Sequence, residues 1–186
     1  MNFRNSERGQ GLIELVIALT MLSVAVAALL AALVSTAISL QRASQKGNAL
    51  TLADKQLEVY RTLAYTNIRL DPNSIPTGAT NTYRTAYLGD STIPPPTGEV
   101  VGGLNGEPAC TAGPTTPECT AQQTVTGPDH RTYRIDTYII YTYPTGGLTS
   151  RQVKQVLVVV RDASKVGTPI LARNGSTFDE SNFATG

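Results

Sequence analysis

The residue types that most often carry out catalysis are sparse in this sequence. His130 is the only histidine among 186 residues, so a Ser-His-Asp or Cys-His arrangement would have to use it. It lies in Asp129-His130-Arg131, between a Gly-Pro turn and a predicted strand, where a solvated turn histidine is expected. The Gly-Gly pairs at 102–103 and 146–147 lack the Lys-Ser of a phosphate-binding loop. The sequence therefore predicts no catalytic residue, no metal site, no cofactor and no enzymatic function.

Two cysteines, Cys110 and Cys119, lie in a polar loop rich in Pro, Thr and Gly. In an oxidising compartment, two cysteines this close in sequence are expected to form one local disulfide. Two free thiols are the alternative. A zinc site would have to borrow carboxylates, because no further cysteine and only one histidine are available. We therefore expect a Cys110–Cys119 disulfide if the chain is exported.

The composition limits the class of protein. The length fits one compact domain plus one extra element. The formal net charge is +1, so no overall basic field attracts nucleic acid, and no nucleic-acid partner is predicted. Charged residues make up 16% of the chain and hydrophobic residues 41%, a balance that indicates a folded protein and not a disordered one.

The strongest single feature is an uncharged apolar run from Leu15 to Leu40. It exceeds the roughly 20 residues that a helix needs to cross a bilayer, and its Ala-, Leu- and Met-rich composition favours a helix. A cleaved secretory signal has a shorter apolar core of about 7–15 residues, although Ser35-Thr36-Ala37 resembles a weak cleavage site. An ordinary single-span anchor is the other interpretation, with arginines before the run and Arg42 and Lys46 after it.

Glu14 stands at the start of this run, and neither interpretation explains an acidic residue there. A charge at the centre of a membrane helix costs about 2.5 to 3.5 kcal/mol on translocon scales, and less near an end. Near the first helical turn the carboxylate gains a little from the helix dipole. It could simply extend to the lipid headgroups, or it could have a specific partner.

The segment Arg8-Gly9, followed by Gln10-Gly11-Leu12-Ile13-Glu14-Leu15 and the long uncharged run, resembles the N-terminus of the type IV pilin family, which includes the pseudopilins of type II secretion. In that family a prepilin peptidase cleaves on the cytoplasmic side after the glycine, here Gly9. The new amino terminus, here Gln10, is then usually N-methylated. The apolar segment stays on the mature protein. Glu14 becomes the fifth residue after the cut, the family position of a glutamate that pairs with a neighbouring subunit's terminal amine.

The pairing that this resemblance implies has a physical rationale. An unpaired carboxylate is costly in a filament core, and an opposite charge offsets much of that cost. Such a pair can set the axial register of neighbouring helices, as buried polar groups do in coiled coils. Two features depart from the family pattern, since Gln10 stands where Phe or Met is usual, and the run lacks the internal proline of many major pilins. The second departure favours a minor pilin or a pseudopilin.

An amphipathic helix is predicted to continue from the apolar run. The stretch from Asn48 to Arg61 is similar to the corresponding helix of minor pilins and pseudopilins, and Gly47 is a position where the helix could bend. Apolar residues recur three or four apart, or seven across Gly47, at Ala43, Leu50, Ala53, Leu57, Tyr60 and Ala64. Polar residues that lie largely off this stripe are Gln45, Asn48, Lys55, Glu58 and Thr62.

Strand signals are concentrated near the C-terminus. The runs 132–143 and 152–161 are dense in β-formers and predict an antiparallel hairpin, with the second run in a largely covered central position. Possible further strands lie at 82–88 and at 169–172, the latter at a sheet edge. The expected buried positions of the first run are Tyr133, Ile135, Tyr138 and Ile140, with a slip near Asp136-Thr137.

The predicted fold class is α+β, a long N-terminal helix packed on a small antiparallel β-sheet as in the pilin-like roll. The predicted segments are a prepilin leader at 1–9, a transmembrane or filament-core helix at 10–40, an amphipathic helix at 41–64, a loop-rich variable region at 65–131, an antiparallel sheet at 132–172 and a polar, frayed tail at 173–186.

The resemblance implies a structural subunit of a type IV pilus-like filament, most closely a minor pilin. The implied partners are other pilin subunits, the prepilin peptidase and methyltransferase, and the membrane. The precursor would be a single-pass protein of the inner membrane, and the mature protein would join a cell-surface or periplasmic filament. The alternatives are a pseudopilin of a type II secretion system and a membrane-tethered extracellular binding domain that never polymerises.

Overall fold

The computed structural model describes residues 7–75, 100–102, 108–110, 112–113, 115–142, 153–165 and 169–180, with the side chains of these ranges except 7–10 and 142. Two compact units divide the chain, Met1–Ser44 and Gln45–Gly186. We call them the N-terminal unit and the C-terminal unit.

Helix α1 extends over 55 residues, from Glu7 to Arg61. It has no proline, and its composition is dominated by Ala and Leu, which favour a helix. It continues through Gly47, where an added Cβ would meet no atom within 4 Å. The predicted continuation of the apolar helix into the amphipathic one is therefore confirmed, although α1 ends at Arg61 and not at Ala64.

Four strands of the C-terminal unit form one antiparallel sheet, in which neighbours along the chain are also neighbours in space. The long central hairpin that the sequence predicted is confirmed, and its register pairs Tyr133 with Asp162 and Thr142 with Val153. The sheet and α1 together give the predicted α+β fold. The strands are β1 (Gln122–Thr126), β2 (Thr132–Thr142), β3 (Val153–Asp162) and β4 (Ile170–Phe178).

The C-terminal part of α1 packs on one face of this sheet. The hydroxyl of Tyr60 lies beside Thr137 of β2, and Gln56 of the helix accepts a hydrogen bond from Gln123 of β1. Small residues on the helix allow its backbone to approach the sheet closely. The fully buried helix residues of this core are Ala49, Ala53, Leu57 and Tyr60, and the core residues of β2 and β3 on the facing side are Tyr133, Ile135, Ile139, Val156, Val158 and Val160.

The buried stripe of the amphipathic helix differs from the predicted one. Ala43 and Leu50 are exposed, whereas Ala49 and the polar residue Gln45 are buried. The spacing of apolar residues favoured Leu50 for the core, and its side chain is larger than that of Ala49. The sheet instead takes the smaller alanine one position earlier, since a small residue brings helix and sheet close together.

The sheet also differs from the predicted strands in three places. Strand β1 lies within the segment that was predicted as loop-rich. The pairing of β2 with β3 runs without a slip through Asp136 and Thr137, and the one irregularity among the described strand pairs lies between β3 and β4 at Val160 and Arg161. Strand β4 continues to Phe178, so the residues from Arg173 to Phe178 are strand and not frayed tail.

The connector after α1 joins the sheet beside β2. It contains two short 3₁₀ turns, Tyr65–Asn67 and Pro72–Ser74. Between them Leu70 bridges Val101, while the N–H of Val100 donates to the carbonyl of Ile139, 2.8 Å away. The predicted strand at 82–88 and the residues between the two runs of the predicted hairpin, 144–151, lie outside the described residues.

Candidate functional site

The N-terminal unit presents its apolar side chains to the outside. All residues from Gly11 to Ser44 are exposed, and the large apolar side chains between Leu12 and Leu40 keep between 44% and 71% of their accessible surface, the limits being Ile38 and Leu40. A surface of this kind is unfavourable in water and marks an interaction with a membrane or with another protein.

Four hydroxyl groups on this part of α1, those of Thr20, Ser23, Thr36 and Ser39, donate to carbonyls of the same helix. Thr20 donates to the carbonyl of Ile17 at 2.8 Å, and Thr36 donates to that of Leu33 at 2.8 Å. Ser39 donates to the carbonyl of Ser35 at 2.9 Å. A hydroxyl that is bonded to its own helix costs less to transfer into an apolar environment than an unbonded one. These side chains are therefore compatible with the apolar surroundings that the leucines require.

Helix α1 is long and apolar enough to cross a membrane, by length and composition. A membrane anchor and a signal sequence both satisfy this criterion, since the apolar segment lies near the N-terminus. The prediction of an N-terminal apolar helix long enough to cross a membrane is therefore confirmed, and this helix fits both an anchor and a signal sequence.

Glu14 is the only charged side chain between Gly11 and Gln41. It is exposed, and it has no ion pair within the described part of the chain. Gly9 and Gln10 belong to the first turns of α1. Glu14 follows Gln10 by four residues, so the two positions lie on one side of the helix, about one turn apart.

Cys110 and Cys119 are joined by a disulfide, with their Cα atoms 6.1 Å apart. The bond that the sequence predicted for an exported chain is therefore present. Cys119 is fully buried, and its carbonyl accepts hydrogen bonds from the N–H of Asp71 at 2.8 Å and from the hydroxyl of Ser74 at 2.9 Å. The disulfide thus fixes the loop that holds the connector after α1.

The disulfide loop is also tied to the helix. The Gln56 amide donates to the carbonyl of Pro117 at 2.7 Å and accepts from the amide of Gln123 at 2.7 Å. One buried side chain of α1 therefore connects the loop with β1. A shallow cavity beside the loop is lined by Leu63, Asn67, Cys110, Ala112 and Glu118.

His130 lies exposed in the turn between β1 and β2, with a positive φ of 60°. The neighbouring Asp129 accepts a hydrogen bond from the Tyr133 hydroxyl at 2.7 Å, and this bond lowers the pKa of Asp129. Burial, together with the bond to Asp129, raises the pKa of Tyr133 to about 12. The Asp129 carboxylate is thus hydrogen-bonded to a tyrosine of the sheet. His130 is exposed to solvent in a turn, as the sequence predicted.

A buried ionic cluster lies on the sheet face opposite α1, and sequence analysis missed it. Asp136 is fully buried. It accepts hydrogen bonds from Arg134 at 2.9 Å and from Arg161 at 2.8 Å through one oxygen, and from Gln122 at 3.1 Å through the other. The only signal in the sequence was the i, i+2 spacing of Arg134 and Asp136, which places both on one face of a strand.

The described residues contain no group of three or more His, Cys, Asp or Glu side chains that could hold a metal ion. Lys154, another buried charged residue, has its ammonium 4.8 Å from the ring centre of Tyr65 and 3.2 Å from the Tyr65 carbonyl. This cation holds the 3₁₀ turn after α1 against the sheet. The ionic and polar clusters of the C-terminal unit therefore support the fold, and the exposed apolar helix with Glu14 is the main candidate for function.

No family model, no curated protein and no solved structure matches this chain.

Proposed function

We propose that this protein is a structural subunit of a type IV pilus-like filament, of the minor-pilin kind. In this proposal a prepilin peptidase cleaves the precursor after Gly9 on the cytoplasmic side of the inner membrane. The mature chain, beginning at Gln10, is held in the membrane by α1 and then moves into a cell-surface or periplasmic filament. A pseudopilin of a type II secretion system would use the same processing and packing.

The observation that carries the proposal is the exposed apolar surface of α1 with one acidic side chain near its start. The C-terminal unit has its own core, so the apolar side chains from Leu12 to Leu40 need cover from outside the fold. A lipid bilayer provides that cover for a single chain, and the helices of other subunits provide it in a filament. One helix can therefore serve both states in turn.

Glu14 supports the filament over a simple anchor. Cleavage after Gly9 creates a positively charged amine at Gln10, and the same amine on a neighbouring subunit is a suitable partner for the Glu14 carboxylate. Removing an unpaired carboxylate from water is costly, and an ion pair with good geometry offsets much of the cost. Since the amine exists only after cleavage, the pair would also make assembly depend on processing.

The first test is the N-terminus of the mature protein. Mass spectrometry is expected to find a chain that begins at Gln10, with or without a methyl group. Gly9→Val is expected to stop cleavage, so that the precursor accumulates in the membrane. The matched control is Gly11→Val, two residues further along the same helix, which is expected to be processed normally because it leaves Gly9, the residue before the cut, unchanged.

A different N-terminus would contradict the proposal. An intact Met1 would indicate a membrane-tethered domain that does not polymerise, and a start after Ala37 would indicate a secretory signal.

The second test concerns assembly. Glu14→Gln is expected to leave cleavage intact but to reduce incorporation into filaments strongly, because the amide cannot form the ion pair. Glu180→Gln, a change of the same type at an exposed position of the C-terminal unit, is the control. Wild-type incorporation of the Glu14→Gln variant, measured by immunoblot of sheared filaments, would eliminate the pairing role.

A further inference from the structure

One end of the C-terminal unit is formed by two turns of the sheet. The first is Gly127–Arg131, between β1 and β2, and the second begins with Ala163–Lys165, after β3. We call them together the two-turn surface. The N–H of Ala163 donates to the carbonyl of Thr132 at 3.2 Å, so the two turns lie side by side.

This end of the sheet is also the one beside the start of the C-terminal unit. Asn48 lies next to the Asp129 carboxylate of the first turn. The C-terminal unit begins at Gln45, and the uncharged run of α1 ends at Leu40. The first turn therefore contacts α1 within about two helical turns of the point where the apolar sequence ends.

The two-turn surface directs its cations outward and its carboxylates inward. The side chain of Lys165 is 55% exposed and that of Arg131 is 38% exposed. The carboxylate side chains beside them are 4% exposed at Asp162 and 20% exposed at Asp129. His130, next to Arg131 in the first turn, adds an exposed imidazole.

The inward carboxylates are already engaged by the fold. Asp162 accepts hydrogen bonds from the N–H and the hydroxyl of Ser164, and Asp129 accepts one from the Tyr133 hydroxyl. Each carboxylate also offsets part of the charge of its neighbour, with Lys165 3.2 Å from Asp162 and Arg131 3.9 Å from Asp129. The two cations and the two carboxylates are equal in number, and the cations are the more exposed side chain of each pair.

The adjoining helix adds positive charge. Between Leu40 and Asp54, α1 carries Arg42 and Lys46 and no acidic residue. Of these two cations only Lys46 belongs to the C-terminal unit. Together with Arg131 and Lys165 it gives three cations beside the two carboxylates of Asp129 and Asp162, an excess of one positive charge. This end of the C-terminal unit therefore has a small excess of positive charge.

We infer that the two-turn surface is a docking surface for the headgroups of anionic phospholipids. The inference rests on the membrane anchoring of α1 in the proposed function. Asn48, which lies beside the first turn, follows the end of the apolar run at Leu40 by only eight residues. The chain itself therefore keeps this surface close to the end of a helix that spans the bilayer up to Leu40. Each Lys or Arg near an anionic membrane raises the equilibrium constant for binding to that membrane about fivefold, and salt screens this attraction. Docking would hold the subunit against the membrane until it moves into a filament.

The test uses the full chain in lipid nanodiscs of phosphatidylcholine alone or of phosphatidylcholine with phosphatidylglycerol. Hydrogen exchange of the backbone amides in Gly127–Arg131 and Ala163–Lys165 is followed by mass spectrometry. Exchange is expected to be slower, by about fivefold or more, in the anionic nanodiscs. Added salt is expected to remove the difference.

Variants identify the groups responsible. In Arg131→Gln and in Lys165→Gln, amide exchange of the two turns in the anionic nanodiscs is expected to be about fivefold faster than in the wild type. Lys55→Gln, at an exposed position of α1 further along the C-terminal unit, is the matched control and is expected to retain the lipid-dependent protection. Equal exchange in the two lipid compositions, or an equal loss with Lys55→Gln, would overturn the docking surface.

The same samples separate this inference from the proposed anchor. A chain that co-purifies with both kinds of nanodisc but shows no lipid-dependent protection keeps the anchor and loses only the docking surface. A chain that co-purifies with neither loses the anchor, and the docking surface falls with it.

Discussion

Asp136 shows how a single residue can control a sheet face. Its carboxylate is fully buried and accepts hydrogen bonds from Arg134 and Arg161. These two residues lie opposite each other in the β2–β3 register, so the carboxylate bridges the strands of the central hairpin. Two guanidinium groups in a buried position are tolerable only with a negative charge between them.

Asp136→Asn is therefore expected to destabilise the C-terminal unit by about 3 to 5 kcal/mol, because it removes the charge that both arginines face. The free energy of unfolding can be measured in urea by near-ultraviolet circular dichroism of the detergent-solubilised chain. Glu58→Gln is the control, since its pair with Arg61 is exposed at the surface of α1, and such a pair contributes about 1 kcal/mol or less. Similar losses for the two variants would contradict the structural role of Asp136.

The lowered pKa of Asp129 predicts that the stability of the C-terminal unit depends on pH. The hydrogen bond from Tyr133 holds the pKa of Asp129 below its ordinary value in the folded state. The stability that this carboxylate contributes is therefore present above its ordinary pKa of about 4 and is lost as the pH falls through the lowered pKa.

Tyr133→Phe removes the donor, so the loss of stability as the pH falls below about 4 should become smaller. The measurement is the urea midpoint as a function of pH. Tyr141→Phe, near the other end of β2, where Tyr141 pairs with Lys154, is the control and should leave the pH dependence unchanged. An unchanged profile in Tyr133→Phe would show that the bond does not contribute.

At the scale of the secondary-structure elements, α1 passes through Gly47 without a break, and no neighbouring atom is close enough to require a glycine there. Gly47→Ala is expected to stabilise the protein by about 1 kcal/mol, because alanine has the higher helix propensity and its Cβ meets no atom within 4 Å. Gly127→Ala should do the opposite, since a Cβ there would lie 2.5 Å from the Tyr133 ring. Thermal unfolding followed by circular dichroism distinguishes the two, and a loss of stability in Gly47→Ala would indicate a required bend.

The sequence was sufficient for elements whose signal is local. The apolar run of α1 and the β-branched residues of β2 and β3 are recognisable without any partner. Strand β1, Gln-Gln-Thr-Val-Thr, was missed because backbone pairing with β2 and not its own alternation makes it a strand. The burial of Asp136 was missed because it depends on Arg161, 25 residues away. For the candidate site, spacing alone gave Gly9, Gln10 and Glu14 as a hypothesis, while the two-turn surface needed the fold.

At the scale of the whole molecule, the two units differ in what they need from their surroundings. The C-terminal unit buries its own core, from Ala49 to Phe178. The N-terminal unit buries none of its described side chains. The protein is therefore expected to require a bilayer, a detergent or other copies of α1 to remain dispersed.

A charge placed in the middle of the apolar run tests this requirement. Leu30→Lys is expected to weaken membrane integration by about 2.5 to 3.5 kcal/mol. The measured quantity is the fraction of protein that alkaline carbonate extracts from membranes. Leu50→Lys, at an exposed leucine of the C-terminal unit, is the control and should leave that fraction unchanged. Equal extraction of Leu30→Lys and the wild type would show that this segment does not lie in the bilayer.

The order of the strands has a consequence for how the chain reaches this structure. Each of the strands β2, β3 and β4 pairs with the one that precedes it in the sequence, so none of the four described strands has to be inserted between two others that have already formed. A ribosome that delivers the chain from its N-terminus can therefore build the sheet one ribbon at a time on a helix that is already complete. Contacts between parts of the chain that are close in sequence form faster than contacts between distant parts. Strand β4 is therefore the last to be added to the edge of the sheet.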